Sequence, residues 1–198
     1  MSSKERRQRE TEQLRQKIIE HAALIIATEG YEGFTIRKLA KSIEYSPRTI
    51  YLHFRDKQHL MAEIVESGFG FSLAQMISDP LPGEPLRQLD VQIRRHIEAG
   101  LAHPEHYRVL VDLINREGFI PGVNQRRIEQ IVFEQITSMV PEPMVHVYTD
   151  LLFSTLRGVT LSLISLRGKL SVQETDERIT AYIEMIQDAL KRQQMKKE

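Results

Sequence analysis

The chain of 198 residues balances 27 Lys/Arg against 27 Asp/Glu and contains no cysteine, which excludes a disulfide framework and thiolate metal ligation. Its 41% apolar and 27% charged residues describe a soluble globular protein with room for one large domain or a small one joined to a larger one. No stretch reaches the length of a membrane span, since Leu151 to Leu166 is interrupted by Arg157, and the basic segment Lys4 to Arg9 runs into polar residues rather than a signal-peptide core; a cytoplasmic protein without membrane contact is expected.

The zero net charge conceals an asymmetry. Residues 1–60 hold 12 Lys/Arg against 8 Asp/Glu, and the remaining residues hold 15 against 19. A basic head on an acidic body suits a protein that presents one end to a polyanion.

Apolar residues recur at intervals of three and four almost throughout, and nothing alternates at period two for long, so the whole chain is predicted helical. Leu14, Ile18, Ala22, Ile25 and Ile26 form one face of a first helix that Gly30 terminates. Thr35 caps a short second helix carrying Ile36, Leu39, Ala40 and Ile43 inward. Ser46 followed by Pro47 is a strong start signal, a hydroxyl cap and then proline at the first helical position. The third helix ends near Phe54, and Asp56 caps a longer fourth helix through Leu60, Ile64 and Phe71 towards Ile77. The run Asp79 to Pro85 reads as a connector. Breaks at His103-Pro104, Gly118 to Gly122, Pro141 to Pro143 and Arg167-Gly168-Lys169 then mark off five body helices. The last opens with Ser171-Val172-Gln173-Glu174, a capping box. The expected architecture is all-α: a three-helix helix-turn-helix head over residues 1–57 and a helical body over residues 58–198, about nine helices in all.

Two short helices braced by a longer one form the geometry that lays the second short helix in the DNA major groove. Within that helix Ile50 and Phe54 are the inward positions. Its other faces offer Arg48, Thr49, Tyr51, His53, Arg55 and Lys57, cationic and hydroxyl groups that bond phosphate oxygens and base edges. Tyr51 as a core aromatic and His53 as an incidental surface residue are the alternatives.

The string Phe34-Thr35-Ile36-Arg37-Lys38-Leu39-Ala40, followed by Ser46-Pro47-Arg48-Thr49-Ile50-Tyr51-Leu52-His53-Phe54-Arg55-Asp56-Lys57 and Leu60, resembles the DNA-binding head of TetR-type regulators. The resemblance in the body is architectural only. It implies a transcriptional regulator, a repressor released from double-stranded operator DNA by a small-molecule effector; an activator or a partner-binding module without a ligand is the alternative. It further implies that Thr35 and Arg37 touch phosphate or a base edge, that Arg48 and Thr49 lie nearest the bases, that Tyr51 and His53 clamp phosphates, and that Lys57 anchors the backbone. Ser46 and Pro47, which start the groove-entering helix, are counted with these contacts. Glu44 stands where the family commonly has glycine. Either it adopts a positive φ at a cost of about 1 kcal/mol, or the turn takes another shape.

Symmetric dimers read half-sites roughly 34 to 36 Å apart or a multiple of that, so a homodimer seam is expected in the body. On the segment 143–167, Ser154, Gly158 and Ser162 recur every fourth residue beside Thr155, a small-residue line that permits close helix approach. On 172–192, Ile179, Tyr182, Ile183 and Ile186 form an apolar face. Four such helices would make a bundle. Between residues 85 and 148, apolar positions interspersed with a few polar ones suggest a cavity for an apolar or amphipathic effector, with His96, Ile97, Tyr107, Leu110, Ile114, Phe133 and Tyr148 as candidate contacts. No HExxH, GxSxG or phosphate-binding glycine loop is present and there is no cysteine, so neither catalysis nor a cofactor nor a metal is expected.

Overall fold

The computed structural model describes residues 3–78 and 83–197. The expected connector residues Asp79 to Pro82 lie outside that set, as do the side chains of Phe71 and Ile77. Nine α-helices are present among the described residues: α1 Ser3–Gly33, α2 Ile36–Ser42, α3 Pro47–His53, α4 Lys57–Ser78, α5 Pro85–Ala102, α6 Pro104–Ile114, α7 Val123–Met139, α8 Val145–Ser165 and α9 Val172–Lys197. A short 3-10 turn, Glu142–Met144, precedes α8.

Each boundary has a local cause. Gly30 takes φ 75° and ψ 167°, which breaks the regular run of α1 and leaves a last turn after a kink. The Thr35 hydroxyl accepts the Lys38 amide, and the Ser46 hydroxyl accepts the Thr49 amide with Pro47 at the first helical position. Asp56 accepts the His59 amide at 2.7 Å at the head of α4. Ser171 and Glu174 cap reciprocally at α9, the Ser171 amide donating to Glu174 Oε2 at 2.8 Å and the Glu174 amide to Ser171 Oγ at 3.1 Å.

The chain divides into two compact units, Met1–Gly68 with Arg108–Gly122, and Phe69–Tyr107 with Val123–Glu198; two divisions fall inside α4 and α6 and the third at the start of α7. In the first unit Ile18, Ala22, Ile26, Phe34, Leu39, Ala40, Ile43, Ile50, Phe54 and Leu60 are buried. Here α1 packs on α2 and α2 on α3, so burial of Ile50 and Phe54 turns the rest of α3 outward. In the second unit α5, α7, α8 and α9 pack on one another around Leu89, Ile93, Ile97, Val132, Ile136, Leu152, Leu156 and Ile183. Arg94 on α5 ties down α9 through Asp176 and the Thr180 hydroxyl. No described helix is long and apolar enough to cross a membrane.

Candidate functional site

The turn between α2 and α3 sets what the first unit presents. Its Glu44 has φ 63°, the single non-glycine at positive φ among the described residues. The Glu44 amide donates to the Lys41 carbonyl at 3.3 Å and the Tyr45 amide to the Ala40 carbonyl at 2.9 Å. That bond pair is the Schellman ending of a helix, which needs a left-handed residue at this place. Of the two shapes left open by the sequence, the protein adopts the strained left-handed one.

From that turn α3 emerges with Ser46, Pro47, Arg48 and Tyr51 exposed and Thr49 and His53 half-buried. Tyr51 retains 52% of its surface, which disposes of the core-aromatic alternative. On α2 Thr35 and Arg37 are exposed as well. The head's cations differ in what already holds them. Arg55 is paired with Asp56 at 3.0 Å, and Lys38 with Glu29 and the Gly33 carbonyl. Arg37 and Arg48 have no ion-pair partner among the described residues. They are charged, solvated groups whose exchange of water for a phosphate costs no internal contact. Thr49 Oγ1 lies 3.0 Å from Ser46 Oγ, which limits its rotamer.

Lys57 is placed differently from these. Its ammonium sits 4.0 Å from the Tyr31 ring centroid and 5.4 Å from that of Phe34, and donates to the Phe34 carbonyl at 3.4 Å. As the first residue of α4 it stands at the positive end of a helix, and these electron-rich partners offset that repulsion. Two residues of this surface were not singled out by sequence. Leu52 is 77% exposed on α3; its signal was an apolar residue at a position that Ile50 and Phe54 push outward. Tyr31 had no signal of its own, because its role depends on cations distant in the chain.

In the second unit His96 Nε2 and the Tyr107 hydroxyl are hydrogen-bonded at 2.8 Å, with the rings edge-on at 5.4 Å. Burial, and then the charge of Arg157, lower the His96 pKa to about 4, so the ring is neutral at pH 7. Burial raises the Tyr107 phenol to about 12, a shift that its hydrogen bond to Thr160 partly opposes. Thr160 Oγ1, beside Tyr107, donates to the Leu156 carbonyl at 2.7 Å. His96 is half-buried. Gln92, one turn before it on α5, and Gln125 and Gln135 on α7 each hold a buried side-chain oxygen without a donor. No sequence pattern distinguished these three glutamines from surface ones.

Of the remaining effector candidates, Ile97 is buried in the core of the second unit, with Phe133 and Tyr148 packed against that core. Leu110 and Ile114 belong to the first unit. The seam candidates divide by helix. Ser154, Thr155, Gly158 and Ser162 are all exposed on α8, continuous with Val147 and Leu151. Ile179, Tyr182 and Ile183 are instead buried in their own chain's core and Ile186 is half-buried. The face of α9 left open carries Ala181 and Met185.

The first unit thus carries a helix-turn-helix head and the second a helical body. Residues 18–64 match the family model for bacterial regulatory proteins of the tetR family. The match spans the helix-turn-helix and the start of α4, 47 of the 198 residues. It is 30% identical over 108 residues to the HTH-type transcriptional regulator AcrR of Shigella flexneri, covering 53% of this chain and 49% of that one. It is 30% identical over 93 residues to the transcriptional repressor AcnR of Corynebacterium diphtheriae, covering 47% and 43%, and 38% identical over 71 residues to the class E tetracycline repressor of Escherichia coli, covering 36% and 33%. The matched part is thus less than half the length of each relative. The fold extends further: a crystal structure of Mycobacterium smegmatis BioQ superposes with a TM-score of 0.68 at 18% identity over 89% of this chain and 97% of that one. BioQ with its double-stranded DNA operator gives 0.66 at 16% identity over 89% and 97%.

Proposed function

We propose that the protein is a DNA-binding transcriptional regulator that acts as a homodimer in the cytoplasm, a repressor released by a small effector. The observation that carries the reading is the outward face of α3, where Arg48 and Tyr51 are exposed and Arg48 has no acidic partner among the described residues. A helix held to its core by Ile50 and Phe54 leaves these groups free for a groove. Arg48 and Thr49 would reach base edges. Tyr51, His53, Thr35 and Arg37 would bond phosphates, Lys57 would anchor the backbone, and Leu52 would meet a thymine methyl. The AcnR and class E relatives are named as repressors, and the BioQ structure holds operator DNA; that supports the same use here. All these relatives are regulators by name, so catalysis is no part of the proposal.

The effector is proposed to bind beside His96 and Tyr107, in the second unit. The apolar surroundings of that pair suit an apolar or amphipathic molecule. The Gln92 and Gln125 oxygens, which lack a donor, suit one that brings a hydroxyl or amide donor. Dimerisation is proposed through the exposed line of α8, Leu151 to Ser162, joined by the open face of α9. The test of the DNA reading is a gel shift with the DNA lying upstream of the protein's own gene. The expected result is a sequence-dependent shift that Arg48→Ala and Tyr51→Ala abolish without changing the circular dichroism. No sequence-dependent shift by the folded wild-type protein would favour a partner-binding module instead.

A further inference from the structure

Arg116 stands in the turn after α6, outside the helix-turn-helix, yet its guanidinium lies 3.7 Å from the centroid of the same Tyr31 ring on which the Lys57 ammonium rests at 4.0 Å. Its own charge is already answered. It bonds Asp112 at 2.9 and 3.2 Å and reaches Glu32 at 3.4 Å. Arg116 is therefore held in place from three sides, by two carboxylates and a ring. Lys57 has no carboxylate within ion-pair distance among the described residues, so its side chain is located by the Tyr31 ring at 4.0 Å, the Phe34 ring at 5.4 Å and the Phe34 carbonyl. A planar guanidinium on an aromatic ring restricts that ring's orientation, and a ring so restricted offers its electron-rich surface to a second cation in one place.

We infer that Arg116 is a positioning residue for DNA: by holding Tyr31 it sets where the Lys57 ammonium stands at the start of α4. The inference rests on the DNA-binding reading and adds to it a residue of the α6–α7 segment that never touches the nucleic acid. Lys57 remains half-buried and lightly held, able to exchange its carbonyl for a phosphate while the ring keeps it in register. Arg116 makes no phosphate contact of its own, because its donors are engaged by Asp112 and Glu32.

The experiment is a double-mutant cycle of Arg116→Ala and Lys57→Ala, with binding to a fluorescein-labelled duplex of random sequence measured by anisotropy over a range of salt concentrations. Arg116→Ala is expected to weaken binding about two- to fivefold with an unchanged salt slope, whereas Lys57→Ala reduces the slope by about one. The two effects are expected to be coupled, Arg116→Ala having no effect once Lys57 is gone. Tyr31→Phe keeps the ring and is expected to preserve the coupling; Tyr31→Leu removes it. A second readout needs no DNA: the Lys57 ε-methylene protons, shifted upfield by the ring in NMR spectra, are expected to move towards their ordinary position in Arg116→Ala. Additive effects with a normal Lys57 slope would overturn the positioning role and leave the DNA reading standing. A wild-type protein that binds no duplex at any salt concentration would overturn both, and an unshifted Lys57 methylene in the wild type would overturn the geometry itself.

Discussion

The Tyr45 amide donates to the Ala40 carbonyl at 2.9 Å, closing the turn from α2 into α3 around a left-handed Glu44. The direction in which α3 leaves the first unit depends on that closure. A glutamate there carries the steric cost of its Cβ in a conformation that glycine adopts freely.

Replacing Glu44 with glycine is expected to raise stability by about 0.5–1 kcal/mol, the left-handed penalty less the entropy that glycine adds to the unfolded chain. Because the turn shape is already the left-handed one, DNA affinity is expected to stay within twofold of wild type. Thermal unfolding and anisotropy of the same sample check both; a destabilised variant would contradict the strain.

His96 predicts how stability responds to acid. Its folded pKa is about 4 against an ordinary 6.5, so between those values the unfolded chain binds the extra proton and the fold does not. The contribution is fully present above pH 6.5 and is lost as pH falls towards 4, amounting to roughly 3 kcal/mol over that window. In urea titrations His96→Gln is expected to flatten the decline between pH 6.5 and 4.5. An equal slope in both proteins would place the titration elsewhere.

Gly100 adjoins the same group. A Cβ at this buried position would lie 2.5 Å from Thr160 Cγ2 and 3.1 Å from the Tyr107 ring. Gly100→Ala is expected to cost about 1–3 kcal/mol through overpacking, read as a lowered urea midpoint, and to disturb the Tyr107 to Thr160 hydrogen bond. A neutral substitution would mean that α5 and α8 can separate freely at this point.

Gly158 offers a clean probe of the proposed seam, since a Cβ there meets nothing within 4 Å. Gly158→Arg therefore leaves the chain's own packing intact while blocking close approach by a partner helix. Sedimentation velocity is expected to show dimer for the wild type and monomer for the variant, with the unfolding midpoint of the monomeric variant independent of concentration. A variant that stays dimeric would move the seam off this face.

For the groove itself, Arg48→Ala is expected to cost about 1–3 kcal/mol at one base position and to relax preference there. Competition binding with single-base variants of a selected duplex checks it. A uniform loss across all variants would make Arg48 a phosphate contact instead.

Much of this fold was decided within a few residues of chain. Ser46 with Pro47, Thr35, Gly30 and the pair Ser171 and Glu174 each act on backbone groups one turn away, and the spacing of Ile18, Ala22, Leu39, Ile50 and Phe54 declares which face turns inward. The outward residues of α3 follow by elimination, so the candidate interface could be read from sequence. Packing between distant helices decided the rest. An apolar face such as Ile179, Tyr182 and Ile183 satisfies a chain's own core as well as a partner's, and only the position of α9 against α5, α7 and α8 assigns it to the former. The bond between His96 and Tyr107, and the meeting of Lys57 and Arg116 on Tyr31, likewise arise where separate helices converge. Caps and periodicity are local interactions, recorded in order along the chain, whereas burial and pairing depend on which surfaces meet once the helices are packed.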